Sequence, residues 1–194
     1  MEFAELDLNR AYNYAEYLKW TFEERVELIK GKIFKMSPAP NLSHARISRA
    51  IFGSLYNHLK GNKCEAFAAP FDVRFPNKNT ADKEVFTVLQ PDVVVVCDPS
   101  KLDEKGCIGA PDLVVEVLSP GNSLKEQKFK FEIYQESGVK EYWVVDPLQR
   151  CVTQYNLVDA KLITSRPLFE GDTIYSTAIT GFELTLDEVF EGVA

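Results

Sequence analysis

The sequence predicts an α/β or α+β fold with a mixed central sheet flanked by helices. Three observations carry this. The order of elements reads helix, hairpin, helix, strands, helix, strands. Val93–Val96 is a strand-like apolar run, and Leu113–Leu118 is nearly continuous, the pattern of a strand buried on both faces. Two segments, Asn41 to about Lys60 and Ser123–Ser137, repeat apolar residues at helical spacing and supply helices to cover the sheet.

The elements follow in order. Asp7–Trp20 is expected to be a helix with Leu8, Ala11, Tyr12, Ala15 and Leu18 as its apolar set. Val26–Met36 alternates in part around Lys30-Gly31-Lys32 and reads as a β-hairpin. Ser37-Pro38-Ala39-Pro40 breaks the chain. Asn41 then caps a long amphipathic helix with Ile47, Ile51, Leu55 and Leu59 at i+4 spacing. Gly61-Asn62 ends it. Strands are expected at Cys64–Phe75 and Val85–Cys97, joined by a polar turn over Pro76–Lys83. Asp98–Pro111 reads as a surface loop before the strand Leu113–Leu118. Gly138 closes the Ser123–Ser137 helix. Glu141–Val145 is the next strand, ended by Asp146-Pro147. Cys151–Asn156, Lys161–Ser165 and Thr173–Ser176 look like hairpin strands, and Leu184–Glu191 like a short helix.

Bulk properties narrow the class. The 194 residues fit one domain, 1–194, with a real core. No stretch of about 18 apolar residues exists, so no membrane span is expected. The acidic start, Met1-Glu2-Phe3-Ala4-Glu5, lacks the basic region of a signal peptide. Cys64, Cys97, Cys107 and Cys151 are widely spaced without a CxxC and read as reduced cytoplasmic thiols, neither zinc site nor disulfide framework. The net charge of −7 argues against tight, nonspecific binding of nucleic acid. It does not argue against a nuclease, since a divalent-cation site is itself acidic.

Lys130 is the residue that points to chemistry. At about 100° per residue, Phe129, Phe131, Ile133 and Tyr134 mark the apolar face of its helix, and Lys130 falls near the centre of that face. Glu126 shares the face, whereas Lys125 and Lys128 point to solvent. A lysine aimed at the interior is costly unless paired or working. Upstream, Asp92 and Glu116 each place one acid in an apolar strand-like run. Metal-dependent cleavage of a phosphodiester needs carboxylates to hold the cation and a positive charge near the attacking water or the leaving oxygen. Asp92, Glu116 and the backbone carbonyl of Val117 are the expected ligands. Magnesium or manganese suits so short a list, because magnesium keeps several of its waters.

In this arrangement the sequence resembles the PD-(D/E)XK nuclease superfamily and, more closely, the Uma-type restriction endonuclease family. The resemblance runs from Glu27-Leu28-Ile29, Lys30-Gly31-Lys32, Met36-Ser37-Pro38 and His44 through Asp72-Val73-Arg74 and Pro91-Asp92. It continues in Glu116-Val117-Leu118-Ser119-Pro120 and closes with Lys130, Tyr134, Gly138-Val139 and Glu141-Tyr142-Trp143-Val144-Val145-Asp146-Pro147. The resemblance implies a restriction-endonuclease-like fold and a DNA-cutting homodimer, since cutting both strands of a palindrome takes two sites. It also implies metal ligation by Asp92 and Glu116, catalysis by Lys130 moved from strand to helix, and a supporting acid at Glu27. The sequence departs from the superfamily pattern at Leu118, where lysine is usual, and at Glu126, where the family tends to have aspartate.

Simpler roles stand beside these. Asp92 follows a proline and is placed to cap a turn. Lys130 has Glu126 as an i−4 partner for a structural ion pair. Glu27 sits in a hairpin, where acids are usually solvated. His44 and His58 read as core or interface histidines, with His44, near the Ser37–Pro40 break, also placed to touch the site. Asp72 and Arg74 share a strand face and are positioned to bond each other, and Tyr142 and Trp143 read as core or interface aromatics. The leading expectation is a magnesium-dependent endonuclease. The alternatives are a catalytically inactive assembly or nucleic-acid-binding protein on the same scaffold and a phosphoesterase acting on small nucleotides.

Overall fold

The computed structural model describes residues 3–36, 41–119, 124–164 and 166–193. The expected break at Ser37–Pro40 lies outside these residues, as do Pro120, Ser123 and Ser165. After a 3-10 turn at Phe3–Glu5 come α1 (Tyr14–Tyr17), β1 (Val26–Ile29), β2 (Lys32–Lys35) and α2 (Leu42–Leu59). Four short strands follow: β3 (Glu65–Ala68), β4 (Val73–Arg74), β5 (Val88–Leu89) and β6 (Val93–Val96). β7 (Leu102–Asp103), β8 (Gly106–Ile108), β9 (Leu113–Val117), α3 (Leu124–Ser137) and β10 (Glu141–Asp146) form the middle of the chain. β11 (Cys151–Val158), β12 (Lys161–Ile163), β13 (Leu168–Phe169), β14 (Thr173–Tyr175), β15 (Glu183–Thr185) and α4 (Leu186–Val189) complete it.

β14 and β15 pair as a separate two-stranded sheet, and two large sheets organise the remaining strands. One runs β12-β11-β10-β9-β6-β3, with β13 also on β11, and the other runs β2-β1-β5-β4-β8-β7. The first is mixed: β9 is parallel to β10 and antiparallel to β6. Every residue of β9 is buried, because both faces of this sheet are covered. Successive strand side chains alternate between faces. Leu113, Val115 and Val117 point into a core shared with α2 and α4. Val114 points the other way, toward Ile133 and Tyr134 of α3 and Ile29, Val73 and Leu89 of the second sheet. Glu116 shares the parity of Val114 and so enters that second layer. A mixed sheet with helices on it was expected, and the fold class stands.

Local sequence explains most boundaries. Lys30 and Gly31 carry φ of 51° and 80°, as a two-residue hairpin turn requires. Asn41 accepts the His44 amide and caps α2. Gly138, at φ 82°, ends α3 as expected.

Several expectations need correction. The helix over Asp7–Trp20 is one turn, Tyr14–Tyr17, held by a capping box between Asn13 and Glu16. Its intended apolar residues Leu8 and Leu18 are exposed, while Tyr12 and Tyr14 pack on Leu28, Val85 and Val88 instead. The long strands expected at Cys64–Phe75 and Val85–Cys97 are each two short ones. Pro70 and Pro91 interrupt them, because proline donates no ladder hydrogen bond. The loop over Asp98–Pro111 contains β7 and β8 with Cys107 fully buried. The start of the expected terminal helix, Leu184, belongs to β15. Cys64 and Cys97 are not reduced thiols but a disulfide with Cα atoms 3.9 Å apart. The β3–β6 register sets Glu65 opposite Val96, which brings the two flanking cysteines face to face. Cys107 and Cys151 stay free and buried.

Candidate active site

The chain crosses from the second sheet to the first over Gln90-Pro91-Asp92, between β5 and β6. That crossing brings an acid of each sheet toward the same point. Glu27 lies on β1, which pairs with β5, and the Gln90 amide donates to Glu27 Oε1 at 2.8 Å. Asp92 lies just before β6, and its Oδ2 accepts the Val117 amide of β9 at 2.7 Å. Glu116 is the neighbouring residue on β9.

α3 then lowers a lysine into the gap between the sheets. Lys130 Nζ stands 3.0 and 3.1 Å from the two oxygens of Glu116 and 3.1 Å from Glu27 Oε1. Lys130 is 5% exposed and Glu27 1%, so this is a desolvated cluster and not a surface pair. Lys130 pairs with two acids from two different sheets. Glu27, read as a supporting acid with a solvated hairpin position as the simpler alternative, is buried beside Lys130. The structure thus brings together Glu27, Asp92, Glu116 and Lys130, with Val117 beside them.

Two further groups join: Tyr134, read from the sequence as part of the apolar helix face, and His44, read there first as a core or interface histidine and second as a group touching the site. Tyr134, one turn beyond Lys130, donates its hydroxyl to Glu116 Oε1 at 2.5 Å. His44, in the first turn of α2, places Nε2 3.2 Å from Asp92 Oδ1. Tyr134 reads as a core aromatic, and its ring is one; the signal for its hydroxyl is the i+4 spacing from Lys130. His44 lies three residues past the Asn41 cap, which aims it at the end of the sheet. His58 differs: it is exposed, with its ring edge-on to Phe182 at 5.3 Å. Asp72 and Arg74 do not bond each other. Asp72 accepts from Tyr14 and Gln90, and Arg74 pairs with Asp103. Tyr142 and Trp143 are buried in the core.

The electrostatics follow from one lysine facing an excess of acid. Burial pushes the Glu116 carboxyl up to about 7; Lys130 opposes this, while Glu27 and Asp92 add to it. Burial works against the Lys130 charge, yet Glu116 and Glu27 outweigh it and hold the ammonium well above its ordinary value. Burial likewise lowers His44, but the Asp92 hydrogen bond and charge, then Glu116 and the Val117 carbonyl, raise it overall. Three acids face Lys130 and His44, and the raised Glu116 carboxyl takes up part of the imbalance. The oxygen donors of Asp92, Glu116 and Val117 are the hard kind that magnesium or manganese takes. Among the described residues, no group of three His, Cys, Asp or Glu side chains is arranged to hold a metal. A magnesium ion, which keeps several waters, would need only two carboxylates and a carbonyl here. A cavity of about 310 Å³ beside the site is lined by Asn41, Ser43, Leu118, Ser119, Gln127, Asp146, Pro147 and Leu148.

Comparison with known proteins now bears on these observations. The family model for Uma2, described as "Putative restriction endonuclease", matches residues 14–187. The chain belongs to the Uma2 family. A Synechocystis relative, "Uncharacterized protein slr1290", is 33% identical over 182 residues, covering 92% of this chain and 91% of that one. A crystal structure from Anabaena variabilis, described as a putative nuclease belonging to DUF820, superposes with a TM-score of 0.72. It is 22% identical and covers 92% of this chain and 97% of the other, a likeness of fold. The Uma2 match spans Glu27, Asp92, Glu116 and Lys130. No helix of the described residues is long and apolar enough to cross a membrane.

Proposed function

We propose that this Uma2 protein is a magnesium-dependent endonuclease that hydrolyses DNA phosphodiester bonds. One observation carries the reading: Lys130 is buried at 3.0 to 3.1 Å from acids of two different sheets, beside a third acid at Asp92. A structural pair needs one acid, and each extra buried carboxylate is costly. Asp92 and Glu116, with the Val117 carbonyl, would hold the cation. Bound there, magnesium or manganese would lower the pKa of a coordinated water and offset negative charge on the phosphodiester. Lys130 would stabilise the charge that builds up in the transition state, from a fixed, water-poor position. Glu27 holds the ammonium alongside Glu116, and the Gln90 amide holds Glu27. DNA as substrate follows from the family description, and a homodimer from the need to cut two strands. The protein is read as cytoplasmic, and residues 1–194 as one nuclease domain.

A second reading has its own support. No buried side-chain polar atom of the described residues lacks a hydrogen-bond partner, so the cluster is satisfied without a cation. With Leu118 in the usual lysine position, this favours an inactive assembly or nucleic-acid-binding protein. Calorimetric titration of magnesium or manganese into wild type and Glu116→Ala, beside a plasmid-nicking assay, separates the two. The nuclease reading expects binding and nicking in wild type and loss of both in the variant. Absence of binding to wild type sinks it.

A further inference from the structure

Glu116 is not held symmetrically. Among the described residues, its Oε1 takes two donors, the Tyr134 hydroxyl at 2.5 Å and Lys130 Nζ at 3.0 Å. Its Oε2 takes Lys130 alone, at 3.1 Å. The Glu116 side chain keeps 11% of its surface. Tyr134 itself is fully buried, packed against Phe75 and Tyr142 with ring centroids 5.9 and 4.8 Å away. Its hydroxyl is therefore fixed by its ring, and it cannot follow the carboxylate if that turns. A carboxylate oxygen with two short donors has little left to offer a cation.

We infer that Tyr134 is a positioning residue that commits Glu116 Oε1 to the protein and leaves Oε2 as the single oxygen for the cation. The inference rests on the nuclease reading above and gives it a metal preference. Magnesium demands near-octahedral geometry and takes carboxylates through one oxygen, whereas calcium accepts one or both. A carboxylate locked to present one oxygen thus favours magnesium. Releasing Oε1 lets Glu116 rotate and offer both oxygens, which calcium exploits and magnesium does not.

The test compares magnesium and calcium affinities of wild type and Tyr134→Phe by calorimetry. Outer partners of metal ligands are typically worth about tenfold or more in affinity. We expect magnesium binding to weaken by about tenfold in the variant, with calcium binding changed by less than about threefold. A purely structural tyrosine would lower thermal stability and leave the ratio of the two affinities unchanged, and that result overturns the inference. Wild type that binds neither ion overturns the nuclease reading and this inference together; an unchanged ratio overturns this one alone. Should Tyr134→Phe not fold, 3-fluorotyrosine placed at position 134 keeps the test open by fluorine NMR. Magnesium is expected to move its resonance, because the ion loads the carboxylate that the Tyr134 hydroxyl holds. A resonance that stays put while calorimetry shows magnesium bound overturns the inference.

Discussion

Lys130 holds two buried acids, and removing it exposes what they cost. Lys130→Met leaves Glu27 and Glu116 buried close together without a cation. Breaking a buried pair by deleting one partner typically costs about 3 kcal/mol or more. The loss should also depend on pH. Lys130 lowers the Glu116 carboxyl, so its removal raises that folded-state value further while the unfolded value stays put. The folded variant then binds more protons than the unfolded chain above the ordinary carboxylate range, and its stability falls as pH rises. Denaturant unfolding of Lys130→Met near about pH 5 and about pH 8 should give a smaller deficit at the lower value. An equal deficit at both would mean that Glu116 does not feel the lysine. At this scale the acids and the lysine were legible, because a charge inside an apolar run has few explanations. The part played by Tyr134 was not, and that of His44 was legible only as the second of two readings. An aromatic on an apolar helix face is expected in the core, and Tyr134 satisfies that expectation with its ring while using its hydroxyl elsewhere.

Elements held where local chemistry and tertiary packing agree. α2 has a cap, a period and a terminator, and it runs Leu42–Leu59 as read from the sequence. Its Asn41 cap also fixes the first turn, which carries His44 to Asp92. Asn41→Ala should cost about 1 kcal/mol, the usual worth of such a cap. Thermal unfolding of that variant checks it, and a loss well beyond this would show that the first turn also anchors the site. The elements that sequence missed are those set by distant partners. β7 and β8 are each two or three residues long and form because β4 pairs with β8 in parallel register, Val73↔Cys107, far along the chain. Gly106 allows that approach: a Cβ there would stand 2.3 Å from the Asp72 carbonyl. α1 fails as a long helix because its aromatic residues find a core under Leu28 and Val88 that periodicity alone does not reveal.

Among the described residues the two larger sheets meet where β5 leads into β6, and the candidate site lies in that seam. Glu27 belongs to one sheet, Asp92 and Glu116 to the other, and Lys130 reaches both from α3. The overall class was legible because it needs only element order and two-sided burial. The seam was not, because no local pattern says that Gln90–Asp92 passes between sheets. The same geometry ties cation binding to global stability. Unfolding separates Asp92 from the adjacent pair Glu116-Val117, so an ion that all three hold together binds the folded state alone. Magnesium at about a hundred times its dissociation constant should then stabilise wild type by about 2.7 kcal/mol. The melting temperature of wild type should climb with the logarithm of magnesium concentration, and that of Asp92→Asn should stay flat. Asp92→Asn keeps the shape of the side chain and an oxygen for the Val117 amide, so its fold is preserved while the charge that attracts the ion is gone. A slope shared by both proteins would place the stabilising magnesium on the acidic surface and away from the seam.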